Sequence, residues 1–100
     1  MKVKRNDIIK NLPKKGFRKE ASGHHIYFYH EYEGRETGVY IYISHSSKSK
    51  DIAGDLLLCT RKQLRLETNR ETVDLINCPM TGDQFNSILI QRNVISEGPT

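Results

Sequence analysis

The fold is decided by the stretch His25-Ile26-Tyr27-Phe28-Tyr29-His30-Glu31-Tyr32 and the run Thr37-Gly38-Val39-Tyr40-Ile41-Tyr42-Ile43-Ser44 that follows it. In the second run Val39, Ile41 and Ile43 alternate with Tyr40 and Tyr42, the period-two pattern of a strand with one buried face. The first run is rich in strand-forming aromatic and β-branched residues. Glu33-Gly34-Arg35 between them reads as a turn, so the two runs form an antiparallel hairpin. Val39, Ile41 and Ile43 are expected to face the core, and Tyr40 and Tyr42 the opposite side. The first run is apolar on both faces, so its pattern does not assign an inward set.

Upstream, Phe17-Arg18-Lys19 reads as a short strand and Ala21-Ser22-Gly23 as a turn. Asn6 suits an N-cap. Ile8, Ile9 and Leu12 follow on one helical face, and Pro13 and Gly16 end that helix near Asn11 or Leu12. Downstream, Asp51 is placed to cap a helix with the stripe Ile52, Leu56, Cys59 and Leu66. Cys59 is therefore expected in the core. Arg61, Lys62 and Arg65 come late in this helix, where cations suit the dipole. Thr68 or Asn69 restarts a helix with Val73, Leu75 and Ile76, which Cys78-Pro79 breaks. Thr81 or Asp83 then caps a last helix carrying Phe85, Ile88, Leu89 and Val94. The expectation is an α+β fold with helix-strand-strand-strand-helix order and a three-stranded antiparallel sheet. Residues 1–67 form its core and residues 68–100 a helical C-terminal extension of the same domain.

Composition bounds the function. At 100 residues, 36% hydrophobic and 28% charged, the chain makes one modest core. Its apolar runs, such as Leu56 to Cys59, are far shorter than the roughly 20 residues that span a bilayer. No apolar stretch follows the basic start, so no secretory signal is expected. Two cysteines, Cys59 and Cys78, do not make a disulfide scaffold and read as free buried thiols in a reducing cytoplasm. The net charge of +4 is unevenly spread: residues 1–20 carry eight Lys and Arg against Asp7 and Glu20, and residues 44–66 carry five against Asp51 and Asp55. Clustered cations on a small domain point to a polyanionic partner.

The tract Ser22-Gly23-His24-His25 sits between a turn and a strand, where side chains are accessible. An imidazole titrates near neutral pH and can take and give a proton. RNA carries its own nucleophile, the 2′-hydroxyl, so a histidine base with cations to hold the phosphate suffices for cleavage without a metal. His24 or His25 offers the base, and Lys14, Lys15, Arg18 and Lys19 offer the cations. Paired histidines are also ordinary surface residues or strand-edge hydrogen bonders. His24, His25, His30, His45, Cys59 and Cys78 are possible metal ligands, and antiparallel pairing would bring His45 toward His24. None of them has a metal-site spacing, so no metal or cofactor is expected. Tyr27, Tyr29, Tyr40 and Tyr42 form a face on which bases can stack. Such residues more often pack on one another or on a protein partner.

Leu12-Pro13-Lys14-Lys15-Gly16-Phe17, then Ser22-Gly23-His24-His25-Ile26-Tyr27, then Gly34-Arg35, resembles the HicA family of mRNA interferase toxins over about residues 6–66. The resemblance implies a double-stranded-RNA-binding-like fold and cytoplasmic, metal-independent endoribonuclease activity. It also implies RNA as substrate, a HicB-type antitoxin as partner, and His24 as the catalytic position. His25 would occupy the less essential neighbouring place, with Ser22 and Gly23 supporting it. Residues 68–100 extend beyond the usual compact toxin and would replace part of the antitoxin contact, cover the site or mediate self-association into a homo-oligomer. Two other readings use the same fold: a non-catalytic RNA-binding module, and a protein-interaction domain built on the tyrosine face.

Overall fold

The computed structural model describes residues 1–44, 50–77 and 79–95. The chain runs β1 (Lys2–Lys4), α1 (Arg5–Asn11), a 3-10 helix (Leu12–Lys15), β2 (Phe17–Ser22), β3 (His25–Tyr32), β4 (Arg35–Ser44), β5 (Asp51–Ala53), α2 (Gly54–Gln63), α3 (Asn69–Asn77) and α4 (Gly82–Gln91). The expected α+β architecture is present, with β2, β3 and β4 in a three-stranded antiparallel sheet. A second, two-stranded sheet pairs β1 with β5, and the sequence reading contains neither strand.

Alternation divides the main sheet into two faces. Ile26, Phe28 and His30 of β3 are buried with Val39, Ile41 and Ile43 of β4. Tyr27 lies opposite Tyr42, and Tyr29 opposite Tyr40, on the outer face. A one-residue slip in pairing would exchange these faces, so burial of the aliphatic set pins the register. On the inner side one core joins Ile8 and Leu12, Leu57 and Leu64, Leu75 and Ile76, and Phe85 and Leu89 to the sheet. The helices beyond residue 68 are thus part of the same core.

The helix starts show why the ends fall where they do. Thr81 caps α4 with a reciprocal pair: its hydroxyl accepts from the Gln84 amide, and the Gln84 side chain accepts from the Thr81 amide. Thr68 and Glu71 make the same exchange ahead of α3. By contrast α1 begins at Arg5, and its cap residue Lys4 makes no side-chain cap bond, so Asn6 is not the cap.

The α2 expectation is corrected. Asp51 and Ile52 belong to β5, so α2 starts only at Gly54. Ile52 thus drops out of the helical stripe, and Leu57, Thr60 and Leu64 face inward, while Leu56 is 63% exposed. Cys59 is exposed rather than buried. Cys78 and His45, and with His45 the suggested His24 and His45 pair, lie outside the described residues.

One polar residue sits at the centre of this core. His30 is fully buried, with its ring centroid 5.1 Å from those of both Phe17 and Phe85. Its Nε2 lies 2.8 Å from Asn86 Oδ1 of α4, and its Nδ1 lies 2.9 Å from the Thr37 hydroxyl. The β3–β4 ladder is irregular here, pairing Tyr29 with Tyr40 and then Glu31 with Glu36. Gly38 supplies the positive φ of 86° in that irregularity, which brings Thr37 onto the histidine. Both ring nitrogens are satisfied, so the neutral imidazole tolerates burial.

Burial lowers the His30 pKa below its ordinary value, with the Asn86 hydrogen bond opposing the shift. The unfolded chain therefore takes up this proton at higher pH than the folded one. His30 contributes stability above the unfolded value of about 6.5, and that stability is lost as pH falls toward the lower folded value. Urea midpoints are expected to fall between pH 7.5 and pH 5, and the fall to shrink in His30→Gln. An unchanged wild-type midpoint over that range would contradict this.

Candidate functional site

The β2–β3 connection has only two residues, Gly23 and His24, between the paired Ser22 and His25. Gly23 takes φ of 59° and His24 keeps an ordinary negative φ, as a tight hairpin turn opening on glycine requires. This turn holds His24 exposed at one end of the sheet. Its neighbour His25 is half-buried on the outer face. The His25 ring stands edge-on to Tyr42, with centroids 5.2 Å apart and planes at 89°. It is also 6.1 Å from Tyr27. The two histidines thus differ: His24 is presented to solvent, whereas His25 is packed into an aromatic row.

That row continues along the face. Tyr27 and Tyr29 lie nearly parallel, 5.8 Å apart with planes at 8°. Tyr29 and Tyr40 are 5.8 Å apart, and the Arg18 guanidinium sits 5.0 Å from the Tyr29 ring centre. The tyrosines pack on one another as cross-strand neighbours, while Tyr40 and Tyr42 each remain 44% exposed. The end of the face away from His24 is acidic. Arg18 is bonded there to Glu20 at 2.9 Å, to Glu31 at 3.3 Å and to Glu36. Those carboxylates raise the Arg18 pKa above its ordinary value, the Glu20 and Glu36 hydrogen bonds first.

The expected cations do not gather around His24. Lys14 and Lys15 precede β2, at the opposite end of that strand from the turn. Five strand steps separate Phe17 from Ser22, roughly 17 Å. Lys15 does not face solvent at all. It is 7% exposed, and its ammonium donates to the Leu75 carbonyl at the end of α3. Asn11 Nδ2 donates to the next carbonyl, that of Ile76, at 2.8 Å. The two side chains satisfy carbonyls that a helix end leaves without partners, and the lysine charge suits that end of the dipole. Arg18 is taken up by three carboxylates. Lys14 and Lys19 are exposed, Lys19 on the sheet face opposite Arg18.

Other cations occupy the His24 end. His25 is paired with Ser44 across the sheet. Arg5 Nε donates to the Ser44 carbonyl at 3.1 Å, and its Nη2 also donates there. The Arg5 amide donates to the Lys50 carbonyl at 2.9 Å, which brings Lys50 to the same corner. The β1–β5 pairing is what brings residues 2–5 to residues 50–53. Both basic segments are visible in the sequence, but nothing local in either signals that they converge. Among the described residues no three His, Cys, Asp or Glu side chains gather as a metal site, and no helix is long and apolar enough to cross a membrane. No family model, curated protein or solved structure matches the chain.

Lys15→Met tests the placement of that lysine. It keeps an apolar stem but leaves a buried carbonyl without its donor, which costs about 1–3 kcal/mol. Urea unfolding should show that loss. A variant with an unchanged urea midpoint would contradict the structural role.

Proposed function

We propose that this protein is a small endoribonuclease of the HicA type that works on RNA in the cytoplasm, with His24 as its general base. The observation that carries the reading is the two-residue turn that presents His24 to solvent at the sheet corner where Arg5 converges. In this scheme the His24 imidazole takes the proton of a 2′-hydroxyl. The 2′-oxygen bonds to the adjacent phosphorus to give a 2′,3′-cyclic phosphate, the bond to the 5′-oxygen breaks, and that oxygen takes up the proton that the His24 imidazolium gives back. Arg5 and Lys50 supply the local positive charge for the phosphates, which sets affinity and salt dependence rather than sequence choice. The Glu20, Glu31 and Glu36 cluster disfavours a polyanion at the far end of the face. The resemblance in the histidine tract adds a second support, and with it a HicB-type antitoxin as the partner that silences the site.

A second reading keeps the RNA and drops the chemistry. It is favoured by the exposed Tyr40 and Tyr42, on which unpaired bases can stack. The two readings separate in an RNA cleavage assay in EDTA with purified wild type and His24→Ala. Cleavage by wild type is expected, with a loss on the order of 10²–10⁴ in the variant. Because His24 is exposed in a turn, the variant should keep the wild-type circular dichroism and melting point. Equal cleavage by both proteins would remove His24 from the chemistry. RNA bound but recovered intact with wild type would favour the binding module.

A further inference from the structure

Beside the His24 turn runs a groove of about 340 Å³ between the sheet end and α2. Its lining includes His25 and Tyr42 on the sheet side, Leu56, Cys59 and Gln63 on α2, and Arg5. We propose that this groove is a nucleotide subsite that takes one unpaired base of the RNA next to the scissile phosphate. The proposal rests on the ribonuclease reading for its substrate class, and on the following features for its place.

The walls suit a flat aromatic ring. The edge-on contact of His25 with Tyr42 makes one wall aromatic, and Leu56 makes the facing helix surface apolar. Leu56 is 63% exposed, which places a large aliphatic side chain in solvent at the rim of a concave surface. The volume lies at the small end of the range for ligand sites, matching a single nucleotide rather than a long segment. The polar groups are varied, with Ser44, Asp51, Thr60 and Gln63 among the lining residues. The Gln63 carboxamide carries both donors and an acceptor, as recognition of a base edge requires. The charge also fits. Arg5 and Asp51 both line the groove, with the Asp51 carboxylate paired to Lys2 at 3.3 Å, and Lys50 is backbone-bonded beside it. A phosphate attached to a base in the groove meets cations at this corner. His24 adjoins His25 in sequence, so a base lying on the His25 and Tyr42 wall brings its own backbone to the turn.

The test is binding, independent of cleavage. Nuclear magnetic resonance titration of the protein with each of the four nucleoside 3′-monophosphates should shift amides of Tyr42, Leu56, Cys59 and Gln63. The same titration of His24→Ala should give the same shifts. Leu56→Glu, a change at an exposed position, should keep the fold and weaken the fitted affinity at least tenfold. Nucleotide should also slow alkylation of the exposed Cys59 thiol in a Cys78→Ser background. Three results would overturn the proposal. One is no shift at the groove with any nucleotide while His24-dependent cleavage persists, which leaves the ribonuclease reading standing. Another is the same shifts with inorganic phosphate alone, which means that the groove does not hold the base. The third is shifts on simple dilution that Leu56→Glu removes, which makes the groove a contact between copies of the chain. Groove binding without cleavage supports the subsite and counts against the catalytic reading alone.

Discussion

The structure depends on the register of β3 against β4. With Ile26 opposite Ile43 and Phe28 opposite Ile41, every second residue of the hairpin feeds the core. The remaining residues form a continuous aromatic face from His25 to Tyr40. The same register sets His25 opposite Ser44, whose carbonyl holds Arg5. Arg5 starts the helix that caps this corner, so one pairing frame aligns the core, the aromatic row and the basic corner. A slip by a single residue would invert all three.

Two polar anchors tie the helical half of the chain to this sheet. His30, itself fully buried, reaches from β3 to the half-buried Asn86 of α4. Lys15 and Asn11 reach from the first helical segment to the last carbonyls of α3. Each anchor joins residues more than 50 positions apart in sequence. Their cost in desolvation is offset because the partner atoms would otherwise be buried without hydrogen bonds. Gly82 fits the same arrangement, since a β-carbon there would come within 3.0 Å of the Lys15 backbone. The last helix therefore packs closely on the segment that carries Lys15.

The features legible in sequence were those with strong local signals. The alternation at Val39, Ile41 and Ile43 gave the inward face, and Thr81 and Asp83 both marked the start of the last helix, where the structure's exchange with Gln84 selects Thr81. The short strands β1 and β5 carry three residues each, too few for a period to show. Asp51 in β5 mimics a helix cap, and accepting it as one drew Ile52 into a helical stripe with Leu56 and Cys59. An uninterrupted apolar run such as Leu56-Leu57-Leu58-Cys59 supports any phase, so only the true helix start resolves it. His24 was visible as a residue of an accessible turn. The cations beside it were not, because Arg5 meets Ser44 only through a pairing 39 residues distant. Lys15 looked like a phosphate contact because nothing local betrays that its partner lies 60 residues away.

The central claim is that RNA engages the sheet corner built from the His24 turn, Ser44 and Arg5. The most direct measurement maps a non-cleavable RNA, with 2′-O-methyl groups throughout, onto the protein by amide chemical shifts. The account predicts that the perturbed amides cluster at Gly23, His24, His25, Ser44 and Arg5, and that adding salt reduces them together. Perturbations centred on Lys14 and Lys19, with the His24 turn unmoved, would contradict it.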